Sequence, residues 1–342
     1  MQTCSEVIRV VEVGKQYRSR KQIDGYRGFA RSLFCPTYEY HQALDGISLT
    51  LKRGESLGFL GANGAGKSTF AKTLCGIQRP TTGQVEVLGW SPHTRSSSFY
   101  KKIGVVFGHK HSLWWDLPVR RSFDLARRLY SIDQKQFDRN LAELCDALNL
   151  ALVLERPVRV LSLGERVKCE LAMNLLHSPE VLLLDEPTVG LDLSSRSEIR
   201  QYLNRLRNER GMSIFMTSHD MGDIEGCCES VLLLHQGRVH YDGKLSSLMQ
   251  EFRQDVKVRV TPSEGVFDLQ ICLGIAQSLQ ARGAQLEIST LLPEEIVFKV
   301  GKDDVNALSS TLIGTFNPCL EISYPDLEEI MLSQLTKWRA TP

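Results

Sequence analysis

The apolar positions between residues 43 and 234 follow two rhythms that alternate along the chain. Short runs such as Ser56-Leu60, Ile103-Phe107, Val181-Leu184, Ser213-Met216 and Val231-Leu234 are apolar almost throughout. A strand of that kind has both faces covered, as in a parallel sheet sandwiched by helices. Between these runs, Ser122-Leu129, Lys135-Leu148, Glu165-Leu176 and Ser195-Arg207 carry apolar residues at helical spacing. Upstream, Glu6-Val13, Ala43-Leu51 and Gln84-Leu88 are rich in β-branched residues and predict further strands. Strands alternating with helices define an α/β core.

The pattern changes after about residue 252. Val256-Val260, Gln285-Ile288, Ile296-Val300 and Leu320-Tyr324 predict strands, and Leu269-Ala281, Val305-Phe316 and Leu327-Leu335 predict helices. The order β-α-β-β-α-β-α suits a small ferredoxin-like α+β sandwich with an added helix. Two domains are therefore expected, 1–252 and 253–342, in keeping with a length of 342 residues.

Composition narrows the function. Lys+Arg 41 against Asp+Glu 40 leaves a net charge of +1, which argues against a chain that coats nucleic acid. No run approaches the ~18–20 apolar residues of a membrane span, and no secretory signal is visible at the start. The nine cysteines are odd in number and form no CxxC pair, so buried thiols are expected rather than a disulfide framework or a zinc site. The adjacent Cys227 and Cys228 leave a redox pair as a minor alternative.

Three segments carry chemistry. Gly61-Ala62-Asn63-Gly64-Ala65-Gly66-Lys67-Ser68-Thr69 fits G-x-x-x-x-G-K-[ST], with a strand before it and a helix after it. Its glycines let backbone N–H groups wrap a phosphate at a helix N-terminus; Lys67 adds positive charge and Ser68 a hydroxyl for Mg²⁺. Val181-Leu184 ends in Asp185 and Glu186, two carboxylates at the edge of a sheet where ligands bind. Asp185 is suited to Mg²⁺ and Glu186 to polarising an attacking water. Finally, Leu161-Ser162-Leu163-Gly164-Glu165 opens a helix; Ser162 and Glu165 alone would make a capping box.

Taken together, in this order and spacing, these segments resemble the ATP-binding cassette (ABC) ATPases over residues 6–245. The resemblance implies a P-loop NTPase (RecA-like) core with an antiparallel β subdomain and a helical subdomain at about 110–178, the C-terminal domain being additional. It implies hydrolysis of ATP with Mg²⁺, and a dimer in which the Ser162-Gly164 helix start of one subunit meets the γ-phosphate held by the other. Asp192, in Val189-Gly190-Leu191-Asp192, resembles the aspartate that crosses that dimer. His219, in Thr217-Ser218-His219-Asp220, resembles the switch histidine, and Tyr17 the aromatic residue stacked on adenine. Leu163 and Glu165 replace the family's more usual Gly and Gln. His109 stands where the family has a glutamine contacting Mg²⁺; an imidazole there would make activity fall more steeply on acidification than in His109→Gln.

Two further segments bear on partners. Lys110-His111-Ser112-Leu113-Trp114-Trp115-Asp116-Leu117-Pro118 pairs two tryptophans, either packed in a core or anchoring a partner. Its wording resembles ATPases that serve separate ABC-2-type permeases, mostly exporters. Residues 18–42 form an insertion with Arg18, Arg20, Lys21, Arg27 and Arg31 among apolar residues at helical spacing, either an amphipathic helix for a membrane surface or a solvated loop. The implied protein is the ATPase subunit of a transporter, peripheral on the cytoplasmic membrane face, working as a homodimer or with a related ATPase. A lipid-linked glycan, a lipid or a drug-like molecule are the open cargoes. A soluble, non-transport cassette ATPase is the alternative class. For the C-terminal domain, dimer stabilisation or regulation stands beside ligand sensing.

Overall fold

The computed structural model describes residues 6–20, 38–108, 112–252, 255–263 and 265–323. They divide into two compact units, Met1–Leu245 and Ser246–Pro342.

In the first unit a six-stranded sheet contains β3 (Ser56–Leu60), β5 (Ile103–Phe107), β6 (Val181–Asp185), β7 (Ser213–Ser218), β8 (Ser230–His235) and β9 (Arg238–Lys244), in the order β5-β6-β7-β3-β8-β9. All pairs are parallel except the terminal β8–β9 hairpin. The four internal strands are apolar on both sides because helices cover one face and a second sheet faces the other. That second sheet is antiparallel, ordered β2-β1-β4, from β1 (Glu6–Arg20), β2 (Tyr38–Lys52) and β4 (Thr82–Val87). Helix α1 (Lys67–Leu74) lies in the layer between, where Phe59 stacks on Phe70 at 4.8 Å between centroids and Phe215 tilts against both at 5.6 and 5.7 Å.

The helical region holds α2 (Val119–Tyr130), α3 (Gln134–Leu148) and α4 (Leu163–Leu175), followed after β6 by α5 (Leu193–Arg210) and after β7 by α6 (Met221–Cys227). Ser162 and Glu165 do form a capping box at the start of α4. Helix α7 (Leu245–Phe252) starts at the last residue of this unit and otherwise belongs to the second, so the division falls before the expected 252.

One sequence expectation is corrected here. Residues 18–20 and 38–42 are not part of an amphipathic insertion. They continue β1 and β2 as paired strands, Arg18 opposite Tyr40 and Arg20 opposite Tyr38, with the Arg18 guanidinium 3.3 Å from the Tyr38 ring centroid. The helically spaced residues of that insertion fall in 21–37, outside the described residues, as do His109 and the Leu327–Leu335 segment. Strand β9 and helix α6 were not anticipated. The turn Gln236-Gly237, with φ of 48° and 79°, has the left-handed pair of angles that makes a tight hairpin. The cysteines of the described residues are free; all but Cys319 are buried, and burial pushes the Cys227 thiol up to about 12, far from a reactive thiolate.

The second unit places β10 (Asp255–Thr261), β11 (Leu286–Leu292), β12 (Glu295–Gly301) and β13 (Cys319–Ser323) in one antiparallel sheet ordered β11-β12-β10-β13. Helices α8 (Leu269–Ala281) and α9 (Val305–Phe316) provide the crossovers. Val256, Val258, Val260, Ile296, Phe298 and Val300 alternate inward to meet Cys272, Leu308 and Leu312, a core of its own.

Candidate functional site

Parallel register sets the chemistry at one edge. Phe107 pairs with Asp185, Asp185 with Thr217, and Leu60 with Ser218, so four strands deliver their carboxyl ends side by side. The loop Gly61–Gly66 leaves β3 and turns into α1 at Gly66, whose φ of 112° only glycine adopts without strain. A Cβ there would also come within 2.4 Å of the Ala43 carbonyl oxygen.

Lys67 is 6% exposed, and its Nζ donates to the Gly61 carbonyl (2.7 Å) while forming an ion pair with Glu186 Oε1 at 3.1 Å. The other Glu186 oxygen lies 2.7 Å from His219 Nδ1. Glu186 itself has φ 52°, and its N–H is bonded to the Thr217 carbonyl and hydroxyl. Strain at a residue so placed is tolerated where the surroundings over-determine it. Beside this trio, Asp185 Oδ1 accepts from the Ser68 hydroxyl (3.1 Å) and from the Thr217 hydroxyl (2.6 Å). Gly108 follows β5 and donates to the Asp185 carbonyl; a side chain there would strike the Glu186 carbonyl oxygen at 2.2 Å.

Of these groups, Lys67, Ser68, Glu186 and His219 border a cleft of about 470 Å³, lined also by Tyr17, His41, Ala43, Asn63, Gly64, Gly66, Thr69 and Val189. Tyr17 reaches it from β1, its hydroxyl 3.3 Å from Thr69 Oγ1. His41 is the residue directly opposite Tyr17 on β2. Neither His41 nor Thr217 was picked out as a site residue from sequence. His41 sits outside any recognisable pattern, and Thr217 is marked only by its place just before His219.

Ser162, Gly164 and Asp192 do not line this cleft. They come together elsewhere, at the starts of α4 and α5. Asp192 caps α5 through Ser195 N (2.9 Å) and Ser195 Oγ (2.8 Å), and a Cβ on Gly164 would meet that same Ser195 Oγ at 2.4 Å. Leu163 lies over Gly190, with Cδ2 3.0 Å from where a side chain would begin. A third feature is the loop before α2. Buried Glu170 accepts from Ser112 N (2.7 Å) and Leu113 N (3.1 Å), and burial pushes its carboxyl upward against those two bonds. The loop so held leaves Trp114 and Trp115 at 55% and 49% exposed, so the core-packing alternative does not describe them.

A glycine cradle at a helix start, its lysine, and paired carboxylates at the end of the neighbouring buried strand define a P-loop nucleoside-triphosphatase. The ABC transporter family pattern matches residues 44–189. The ABC transporter ATP-binding protein NatA of Bacillus subtilis is 31% identical over 214 residues, spanning 63% of this chain and 87% of that protein. The linearmycin resistance ATP-binding protein LnrL of the same organism is 31% identical, over 64% and 70% of the two chains. The bacitracin transport ATP-binding protein BcrA of Bacillus licheniformis is 31% identical, over 59% and 65%. In fold, the chain is similar to the cassette MJ0796 solved as a post-hydrolysis dimer with ADP and Pi, at a TM-score of 0.58 and 23% identity, covering 70% of this chain and 98% of that one. The chain belongs to the ATP-binding subunits of ABC transporters and is an ATPase.

Proposed function

We propose that two copies of this chain, or one copy and a related ATPase, close face to face over two ATP molecules and drive a separate ABC-2-type permease as an exporter. The observation that carries the reading is the convergence of Lys67, Ser68, Glu186 and His219 on one cleft, with Asp185 bonded to Ser68 and with Ser162, Gly164 and Asp192 gathered apart from it. One chain then holds the phosphates and lacks the cap that a second would bring. Transport of bacitracin and resistance to linearmycin in the names of relatives support export and leave the cargo open between lipid-like and drug-like molecules.

In this reading Lys67 and the amides from Asn63 to Thr69 cradle the phosphates, and Tyr17 stacks on the base. Glu186 takes the proton of the water that attacks the γ-phosphorus in line, while ADP leaves. His219 keeps the Glu186 carboxylate aimed through its 2.7 Å contact. Ser68 and Asp185 would hold Mg²⁺; the hard-oxygen donors 3.1 Å apart fit a cation that takes its other ligands from phosphate and water. Bound there, Mg²⁺ would offset negative charge on the phosphates. His109, outside the described residues, keeps its proposed place in contact with that ion.

Trp114 and Trp115 are the proposed anchor for the permease; the helically spaced residues 23–34 of the insertion, outside the described residues, are the proposed contact with a membrane surface. No helix among the described residues is long and apolar enough to cross a membrane; the permease of this reading is a separate chain. The test is Glu186→Gln. ATP binding persists, a stable ATP-dependent dimer accumulates in scattering, and turnover falls by about 10²–10⁴. Near-normal turnover would refute the role of Glu186, and no dimer at saturating ATP would refute the sandwich.

A further inference from the structure

A second, larger cleft of about 720 Å³ lies on the outer face of the antiparallel sheet and shares no residue with the nucleotide cleft. Alternation creates its floor. Ile8, Val10, Val85 and Val87 point into the core, which turns Arg9 and Val11 of β1 and Gln84 and Glu86 of β4 outward.

Two loops form its walls, Arg79–Thr81 after α1 and Gly89–His93 after β4. They are tied to the framework before any ligand arrives. Gly76, at φ 77°, runs so close to Pro92 that a Cβ would sit 2.2 Å from the Pro92 carbonyl oxygen. Lys15 Nζ donates to the Arg79 carbonyl at 2.8 Å, Thr81 N to Gly14 O at 2.8 Å, and Trp90 and Val87 exchange both backbone bonds. A concave site with fixed walls binds without first paying to order them.

Its two guanidinium groups are unspent. Among the described residues neither the Arg9 nor the Arg79 guanidinium has a hydrogen bond or an ion pair. Glu86 stands opposite Arg9 in the strand register but makes no ion pair with it. Two cations against one carboxylate leave a positive surplus. His93 Nε2 is buried without a partner, and burial, then the charge of Arg79, lowers the affinity of that ring for a proton.

We propose that this cleft is an anion site for a small multivalent oxyanion, phosphorylated or polycarboxylate, held by Arg9 and Arg79 and occupied independently of ATP. Planar guanidinium forks match phosphoryl and carboxylate oxygens in pairs. The cleft lies on the sheet that carries Tyr17, so an occupant would rest on the same strand as the proposed base contact.

The experiment titrates the full chain, its nucleotide cleft filled with saturating ADP, with inorganic pyrophosphate and separately with citrate at low ionic strength, by calorimetry. One anion per chain is expected, and the tighter of the two anions names the ligand class. The Arg9→Ala, Arg79→Ala double variant should bind at least about tenfold more weakly, with ATP affinity unchanged. Glu86→Gln, which removes the opposing charge without touching either arginine, should bind several-fold more tightly. Equal binding by wild type and double variant, or binding of neither anion, overturns the site. A parallel loss of ATP affinity in the double variant also overturns it, by assigning the arginines to the nucleotide.

Discussion

Lys67 cannot keep its present partners once a triphosphate enters. Its ammonium is shared between the Gly61 carbonyl and Glu186, both buried, and phosphate oxygens would draw it from each. Glu186 would then keep only His219 beside it, on the side where it must accept a proton. Lys67→Met should weaken ATP binding by roughly ten- to a hundredfold, the worth of a charge-assisted contact. It should also lower stability without nucleotide by about 3 kcal/mol in urea unfolding, since a buried carboxylate loses its counter-charge. An unchanged urea midpoint would mean that the pair contributes nothing to the empty state. Gly66→Ala acts differently: a left-handed backbone and a contact at 2.4 Å predict lost binding together with a cost of about 1–3 kcal/mol. Residues contiguous in the chain, such as Gly61 to Thr69, were legible because spacing alone fixes their geometry. His41 was not, because its place comes from pairing with Tyr17 across a register that only the folded hairpin defines.

Among elements, the strand starts are pinned by one carboxylate. Glu180, just before β6, binds Lys102 before β5 at 2.8 Å and Arg53 before β3 at 2.7 Å. The hydrogen bond from Lys102 is the main cause that holds the Glu180 carboxyl below its ordinary 4.5; partial burial opposes it and Arg53 adds to it. A depressed carboxyl stabilises the fold above its unfolded value, and that contribution is lost as pH falls through the folded one. Glu180→Gln should therefore lower stability at neutral pH by up to about 1 kcal/mol, the group being partly exposed, and match wild type well below pH 4.5. Thermal melts of both proteins at pH 7 and through a descending series below pH 4.5 would check this. The loop carrying the tryptophans makes its own prediction: Trp114→Ala with Trp115→Ala should leave the isolated ATPase intact while uncoupling transport. A loss of fold instead would overturn the docking role. The buried strands and long helices were legible from their periodicity, and Ile103–Phe107, Leu269–Ala281 and Val305–Phe316 begin and end where the pattern placed them. Helix α6 was not, since seven residues give too few turns for a period to register.

At the level of the whole chain, each unit closes its own core, one on Phe59, Phe70 and Phe215 and the other on Val258, Phe298 and Leu312. Ending the chain after residue 252 should leave a folded, ATP-binding protein, and a weaker ATP-dependent dimer in sedimentation would assign the second unit to dimer stabilisation. An unaltered dimer constant would favour ligand sensing. The distance in sequence and space between the Lys67 cleft and the Ser162–Gly164 cluster has a further consequence. In a face-to-face pair, chains crippled by Lys67→Ala and chains crippled by Ser162→Arg would rescue one another. A hybrid of the two concentrates both lesions in one compartment and restores the other whole, so an equal mixture of inert proteins should recover about a quarter of normal turnover.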